Sequence, residues 1–396
     1  MRTIIISIAF TLILNSGFGQ EFKYYTLSSN NPKEVSNQEF EFLKNEVGES
    51  QVVFLGEQHH GDGGAMLAKT TLVKYLVHEM NFSLIAFEGD FLTLNDSTLT
   101  LDQKWNKLAG IWKNSDQMIP LYELIKADQI ELAGIDIFGT TGIADFKNIY
   151  WTKAQGLTEL SKEEISEAIH AIFFDTKSTK SSLKEIYRLT PLLIGQTNGF
   201  ENQLFESFQF VIDSYKQLPK RNKVGLEKYQ ERDSQMGYNL DWLMKNRFHD
   251  KKVIVWAANF HIANNPNEIE SEKSWRFRSG ELQSLGNQFD KISSLKAYRI
   301  AVTSFGGKYT DWGYDPNNHL EIKPERHNEN SIELLLSQKG INYAFVPLKN
   351  IGKDISLSGF AHKAYRGNWN EVFDAIFFMN EMTPSTYEQK KQVSNK

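Results

Sequence analysis

The sequence has 396 residues, with 44 lysines and arginines, 49 aspartates and glutamates, and no cysteine. The lack of cysteine excludes disulfide bonds, thiolate metal ligands and a thiol nucleophile. The formal net charge of −5 argues against nucleic acid or an anionic membrane as a partner, because both attract basic surfaces. The length suggests about two domains, or one large domain with an insertion.

The N-terminus has the pattern of a secretory signal peptide. Arg2 gives a positive start, residues 4–14 are almost entirely apolar, and small residues precede a cleavage position after Gly19. The apolar stretch is shorter than the about 20 residues that cross a bilayer. We therefore predict a signal peptide at residues 1–19, a mature chain without an integral membrane segment, and export to the periplasm or beyond.

Hydrophobic patterning predicts a parallel sheet with helical crossovers. Residues 51–55 are apolar on both faces, as a parallel sheet requires. A glycine-rich turn, a helical pattern over residues 66–80 and a second strand ending in Glu88 follow, which makes a β-α-β unit. The predicted strands are residues 51–55, 83–87, 130–136, 252–257, 298–304, 343–346 and 373–378.

Between residues 143 and 249 helix signals replace the strand signals. One of them is the capping box formed by Ser161 and Glu164. The predicted fold class is α/β, with a central, mostly parallel sheet flanked by helices and a helical insertion forming a cap over the cleft. The discontinuous α/β core is assigned to residues 20–142 and 250–387, the insertion to 143–249, and a flexible tail to 388–396.

Polar residues follow three predicted strands, where ligands gather in open α/β sheets. Glu57 and His60 follow the first strand, Glu88 ends the second, and Asn259 and His261 follow the strand after the insertion. If these strands are neighbours, the residues converge on one pocket. A neutral imidazole there can take a proton from water while a carboxylate fixes its tautomer, which suits base-assisted hydrolysis.

The pair His59 and His60 lies in a glycine-rich turn after a buried strand, so we assign it to function. The remaining histidines are assigned to surface or core positions: His78, His170, His249, His319, His327 and His362. Zinc or iron could also be bound by imidazole and carboxylate groups from Glu57, His59, His60 and His261. Adjacent histidines usually point apart, however, and we expect no metal ion and no cofactor.

Two other enzyme classes fit the sequence poorly. The glycines at positions 61, 63 and 64 superficially copy a dinucleotide-binding turn, but Met66 stands where that motif has Gly or Ala. The nearby Glu57 would also repel a pyrophosphate. A serine hydrolase is disfavoured because the sequence contains no Gly-x-Ser-x-Gly turn.

A helical pattern before the strand at 252–257 places Arg232, Met236, Asn239 and Leu243 on one face. Polar groups on an otherwise apolar stripe are costly unless they are paired. Arg232 therefore either forms a structural ion pair with a strand-end carboxylate such as Glu88, or orients a catalytic carboxylate. The pattern does not separate these two roles.

Several ordered motifs resemble the erythromycin esterase family over most of the mature sequence. They are the Gly-Glu-x-x-His-Gly segment at residues 56–61, the helix at 72–82, the strand ending in Glu88, the Gly-x-Asp strand at 134–136, the Arg-Asp helix at 232–242, the strand end at 255–261, and the closing strand at 373–378 with Thr383 and Pro384. The wider relatives of this family include haem-binding and metal-dependent proteins, so a metal- or haem-binding role is the contrasting hypothesis.

The resemblance implies a metal-independent esterase that opens a macrolide lactone by attack of water. It implies His60 as the general base, supported by Glu57 and Glu88, and we add His261 to this catalytic set. Substrate-binding or orienting roles are expected for His59, Lys69, Arg232 and Asn259. The expected partner is a small-molecule ester or lactone.

Three positions depart from the family pattern. Ala258 replaces the first histidine of its His-Asn-x-His motif, Gly64 replaces an acidic residue, and Lys69 replaces an arginine, which keeps the charge without bidentate geometry. We therefore expect weak or absent hydrolysis of macrolides, with hydrolysis of another ester retained.

Overall fold

The computed structural model describes residues 22–137, 142–174, 176–217, 226–270, 283–311, 317–324, 327 and 329–387. The predicted signal peptide at residues 1–19 and the predicted flexible tail at 388–396 lie outside these ranges. Within them, no helix combines the length and the apolar composition needed to cross a membrane.

The strands are β1 (Tyr25–Leu27), β2 (Val52–Gly56), β3 (Phe82–Asp90), β4 (Glu131–Asp136), β5 (Lys252–Trp256), β6 (Ile269–Glu270), β7 (Ala297–Thr310), β8 (His319–Ile322), β9 (Tyr343–Pro347), β10 (Ile355–Phe360), β11 (Lys363–Gly367) and β12 (Ala375–Met382). The helices are α1 (Leu43–Val47), α2 (Gly63–Met80), α3 (Phe91–Leu94), α4 (Leu101–Lys107), α5 (Gly110–Lys113), α6 (Ile119–Ala127), α7 (Ile143–Ala154), α8 (Lys162–Phe174), α9 (Lys180–Gln196), α10 (Gly199–Gln217), α11 (Leu226–Asn246), α12 (Asn259–Ile262), α13 (Leu285–Ile292) and α14 (Ile332–Gln338).

The large sheet has the strand order β1-β9-β12-β7-β2-β5-β3-β4, with β8 paired to β7. The run from β12 to β4 is parallel throughout, whereas β1, β8 and β9 pair antiparallel. The prediction of a central, mostly parallel sheet flanked by helices is therefore confirmed. Strands β10, β11 and β6 form a second, smaller sheet.

The side chains of β2 alternate between two hydrophobic cores. Val52 and Phe54 join the core that holds helices α7–α11, α13 and α14, while Val53 and Leu55 join the core on the side of α2 and α6. All four side chains are fully buried. Helices thus cover both faces of the sheet, which explains why its strands are apolar without alternation.

Each of the strands predicted from the sequence is present, with ends displaced by a few residues. The strands that sequence patterning missed are β1, β6, β8, β10 and β11. Most of these are short or partly exposed, so they lack the continuous apolar run of a central strand. In β10 the apolar residues are separated by Ser356, Ser358 and Gly359.

The helical segment between β4 and β5 packs directly on the sheet. Its capping box is confirmed, because Ser161 N donates to Glu164 Oε2 at 2.8 Å and Glu164 N donates to Ser161 Oγ at 3.2 Å. Asn239 of α11 is fully buried and donates to the Ile135 carbonyl of β4 at 3.0 Å. Asn239, one of the polar residues on the apolar face of α11, is thus paired with the end of a strand.

Two glycines in the turn after β2 allow backbones to approach closely. A Cβ on Gly61 would lie 2.0 Å from the carbonyl oxygen of Thr310, and one on Gly63 would lie 2.5 Å from that of Pro384. The Gly61 carbonyl accepts hydrogen bonds from Thr310 N at 3.1 Å and Ser385 N at 2.8 Å. The glycine-rich turn therefore serves packing against the ends of β7 and β12.

Helical glycines give a first prediction about stability. A Cβ on Gly237 of α11 would lie 2.9 Å from Gln288 Cβ of α13, whereas one on Gly195 of α9 would meet nothing within 4 Å. Gly237→Ala should lower the free energy of unfolding by about 1–3 kcal/mol through overpacking. Gly195→Ala should raise it by up to about 1 kcal/mol, because alanine is the better helix former.

Urea unfolding of the two variants beside the parent measures both effects. Both variants replace glycine by alanine within a helix, so the change in intrinsic helix propensity is the same. An equal change in the free energy of unfolding for the two would therefore contradict a close α11–α13 contact.

Candidate active site

The first part of the site is a chain of three ionisable side chains that follows β2. His60 Nδ1 lies 3.0 Å from Glu57 Oε1, and the ammonium of Lys69 contacts Glu57 Oε2. Glu57 is 2% exposed and Lys69 is fully buried, whereas the side chain of His60 is about one third exposed. The buried carboxylate thus joins a buried cation to a histidine that faces outward.

The Glu57 contact fixes the tautomer of His60. A carboxylate only accepts hydrogen bonds, so Nδ1 must carry the proton and Nε2 keeps its lone pair when the ring is neutral. Burial lowers the pKa of His60, but the hydrogen bond to Glu57 and the negative charge of Glu88 outweigh it and raise the pKa above its usual value. Nε2 of a neutral His60 can therefore accept a proton.

Lys69 supplies the counter-charge of Glu57 from the first half of α2. Its ammonium also donates to the Ala257 carbonyl at 3.3 Å and lies 4.0 Å from the centre of the Trp256 ring. Burial lowers its pKa to about 8, against the opposing charge of Glu57. Lys69 is therefore buried beneath Glu57, on the carboxylate oxygen that does not contact His60.

The second part of the site is centred on Glu88, which follows the last residue pair between β3 and β5. Its Oε1 lies 2.8 Å from Arg232 Nη2 and 3.1 Å from His261 Nε2, and its Oε2 accepts from Ala258 N at 3.3 Å. Burial would raise the pKa of Glu88, but the charges of His261 and Arg232 hold it well below its usual range. Glu88 is ionised.

His261 is held between two carboxylates. Its Nδ1 lies 2.8 Å from Asp233 Oδ1, and its Nε2 faces Glu88. Because both acceptors are carboxylates, both ring nitrogens carry protons and the ring is an imidazolium. Burial lowers the pKa of His261, but the charges of Asp233 and Glu88 raise it to about 10. His261 acts here as a fixed cation, with both N–H groups engaged within the protein.

Arg232 joins the ends of β3 and β4. Its Nε and Nη2 form a bidentate contact with Asp136 at 2.8 Å and 2.6 Å, and Nη2 also reaches Glu88. The ion pair of Arg232 with Glu88 that the sequence suggested is present, and Asp136 is a second partner. The structure thus gathers Glu57, His60, Lys69, Glu88, Arg232 and His261 at the carboxyl ends of neighbouring strands.

The other two expected site residues make different contacts. His59 accepts a hydrogen bond from Gly61 N on its Nδ1 at 3.0 Å, and burial lowers its pKa. Asn259 donates its side-chain amide to the Val302 and Gly359 carbonyls at 2.9 Å and 2.8 Å. These bonds tie the end of β5 to β7 and β10, so the amide of Asn259 is directed into the fold.

Two residues beside the site were not singled out from the sequence. Asp233 is fully buried and contacts His261. In the sequence it stands next to Arg232, and such a pair of charged residues is typical of an exposed helix face. Trp112 is 2% exposed and packs edge-to-face against His60, with ring centres 5.6 Å apart. Only the folded arrangement reveals Trp112, because α5 is a short helix without a motif.

No group of three or more histidine, aspartate and glutamate side chains is arranged to hold a metal ion among the residues that the structure describes. The candidate ligands make other contacts. Glu57 contacts Lys69 and His60, and His261 lies between Glu88 and Asp233.

The comparisons with known proteins support one family. A model of the erythromycin esterase family matches residues 199–382. A putative hydrolase of Bacillus subtilis, YbfO, is 23% identical and aligns with 89% of this chain and 88% of its own length. The erythromycin esterase type II of Escherichia coli is 22% identical over 92% of this chain and 97% of its own.

A solved erythromycin esterase, a mutant in its open conformation, has the same fold. The TM-score is 0.66 at 17% identity, with 91% of this chain and 97% of that chain covered. The resemblance to the erythromycin esterase family is therefore confirmed, and the likeness to this family and to the putative hydrolase of Bacillus subtilis supports a hydrolase.

The raised pKa of His261 predicts a pH-dependent contribution to stability. A group whose pKa rises from 6.5 to about 10 on folding stabilises the protein fully below pH 6.5, and this stabilisation is lost as the pH rises through 10. The difference in unfolding free energy between the parent and His261→Gln should therefore shrink between pH 6.5 and 10. Urea titrations at several pH values measure it.

The matched control is His78→Gln, because His78 pairs with Asp128 near the protein surface. This variant measures the effect of the same substitution at a histidine outside the site. A constant difference for His261→Gln between pH 6.5 and 10 would show that His261 is not held as an imidazolium.

Proposed function

We propose that this erythromycin esterase-like hydrolase is a carboxylic ester hydrolase in which His60 activates water without a metal ion. The observation that carries the proposal is the chain Lys69–Glu57–His60. It orients the imidazole of His60, about one third exposed, by a 3.0 Å contact between Glu57 Oε1 and Nδ1, so that Nε2 is directed away from its carboxylate partner. The same logic of base and orienting carboxylate operates in hydrolytic triads.

In the proposed reaction, Nε2 of His60 takes a proton from water as the oxygen attacks the ester carbonyl carbon. The carbonyl oxygen becomes an oxyanion, and His60 becomes an imidazolium whose charge is balanced by Glu57. When the tetrahedral intermediate collapses, His60 returns the proton to the leaving alkoxide. The products are a carboxylic acid and an alcohol, or a single hydroxy acid if the substrate is a lactone.

The developing oxyanion needs a donor, and Arg232 is the best placed cation. It uses Nε and Nη2 for Asp136 and Glu88, and its side chain is 27% exposed. Its Nη1 group can therefore face a substrate while the rest of the guanidinium stays fixed. Preorganised donors of this kind stabilise charge that develops in the transition state. In this scheme Glu88 and Asp136 hold Arg232 in place.

The substrate class is a small ester or lactone, by analogy with the erythromycin esterase type II that the chain resembles. The position of Ala258 argues for a substrate other than a macrolide. Ala258 is partly exposed beside Glu88, so the missing histidine removes an imidazole from the mouth of the site. Lys69 is buried beneath Glu57 and cannot replace it.

Replacing the base should abolish most of the activity. His60→Ala should lower kcat on a responsive aryl ester or lactone by about 10²–10⁴, the usual contribution of a general base. In the parent, kcat/KM should fall as the pH drops through the pKa of His60, with a midpoint above 6.5 because Glu57 and Glu88 raise that pKa.

His78→Ala serves as the control, since this histidine pairs with Asp128 outside the site. It should keep the activity of the parent. Near-parent hydrolysis by His60→Ala, or a profile that is flat from pH 5 to 8, would remove His60 from the proposed role.

A second prediction concerns position 258. The parent should show weak or absent hydrolysis of fourteen-membered macrolides, and Ala258→His should raise lactone hydrolysis by up to about 10²–10³, the effect of one oxyanion donor. Product formation by mass spectrometry measures both proteins under the same conditions. Efficient opening of erythromycin by the parent would show that the histidine is dispensable.

A further inference from the structure

The hairpin between β10 and β11 has an unusual turn. Its two central residues, Ala361 and His362, have φ angles of 48° and 53°. Two-residue hairpin turns of this kind normally use Asn and Gly, because other residues are strained in the left-handed region. Such strain persists only where surrounding contacts enforce it, and it often marks functional positions.

The strained turn places the side chain of His362 in the interior of the protein. Ala361 is exposed, whereas His362 is 4% exposed. His362 Nε2 lies 3.0 Å from Asp62 Oδ1, and the imidazole ring packs on Tyr309 with ring centres 4.8 Å apart. Tyr309 also packs against His59, with ring centres 4.7 Å apart.

Asp62 connects this histidine to the loop that carries His60. Asp62 is fully buried, and its Oδ2 accepts a hydrogen bond from His59 N at 2.9 Å. The same residue immediately precedes α2, the helix that contains Lys69. The carboxylate of Asp62 therefore binds the backbone of the loop with one oxygen and the side chain of His362 with the other.

We propose that His362 is a positioning residue, which acts through Asp62 to hold the loop at residues 57–62 and so to keep His60 aligned with Glu57. The catalytic consequence rests on the proposed function. The backbone of the loop accepts hydrogen bonds from Thr310 and Ser385 at Gly61 and from Asn259 at Glu57. The hairpin adds side-chain contacts at two places in the loop: Ser358 accepts from Gln58, and His362 contacts Asp62.

The expected size follows from the geometry of proton transfer. A general base must lie within hydrogen-bond reach of its water, and a misplacement of about 1 Å can reduce the rate by about 10²-fold. Loss of the His362 contact should therefore lower kcat by about 10–100-fold and change KM little, because His362 does not touch the substrate.

Three variants separate positioning from general stability. His362→Leu removes the donor and keeps similar bulk, whereas His362→Gln retains an N–H of similar reach. Ala361→Gly relieves strain in the same turn without a contact to the loop. We expect a loss of kcat in His362→Leu alone, with recovery in His362→Gln and parent-like kcat in Ala361→Gly.

Amide hydrogen exchange of the segment 56–64, measured by mass spectrometry on the full chain, gives a readout that needs no activity. His362→Leu should exchange this segment faster than the parent, and His362→Gln and Ala361→Gly should resemble the parent. If the parent hydrolyses no ester, the proposed function fails and the exchange data alone decide whether His362 holds the loop.

Unchanged exchange in His362→Leu would overturn the proposal. Faster exchange with a parent-like kcat would also overturn it, because His362 would then have only a structural role. If His362→Leu does not fold, Asp62→Asn tests the same contact from its other partner. Faster exchange of the segment 56–64 with a lowered kcat would support the proposal, and parent-like behaviour would overturn it.

Discussion

The burial of carboxylates at the ends of the central strands is the constraint on which the site depends. Glu57 and Glu88 are nearly inaccessible to solvent, and an unpaired buried charge would cost several kcal/mol. Each is therefore matched with a cation from another element: Lys69 of α2 for Glu57, and Arg232 of α11 for Glu88. These pairings determine which helices must lie against the strand ends.

The charged residues of the site have a net charge of zero only if His60 is protonated. Among the described residues, the carboxylates are Glu57, Glu88, Asp136 and Asp233, and their contacting cations are Lys69, Arg232 and His261. The cluster is thus one positive charge short when His60 is neutral. An imidazolium at His60 supplies that charge, so the same excess that raises its pKa also stabilises the product of proton abstraction.

The parts of this arrangement that follow from local sequence could be predicted. Apolar strands and the polar residues directly after them indicated Glu57, His60, Glu88 and His261, because side chains at the ends of parallel strands meet. The contacts of Asp233 and His362 could not, since they depend on how α11 and the β10–β11 hairpin pack. His362 pairs with a residue 300 positions earlier in the chain, and its strained φ has no sequence signature.

The order of the strands explains why a long helical segment contributes to the site. The chain leaves the sheet after β4 and returns as β5, which inserts between β2 and β3. The residues after β5 therefore arrive between Glu57 and Glu88, and His261 can reach the latter. Helix α11 directly precedes β5 and brings Arg232 and Asp233 to the same strand ends. Because these ionic contacts cross from the helical layer to the sheet, protonation of the site and packing of that layer must be energetically linked.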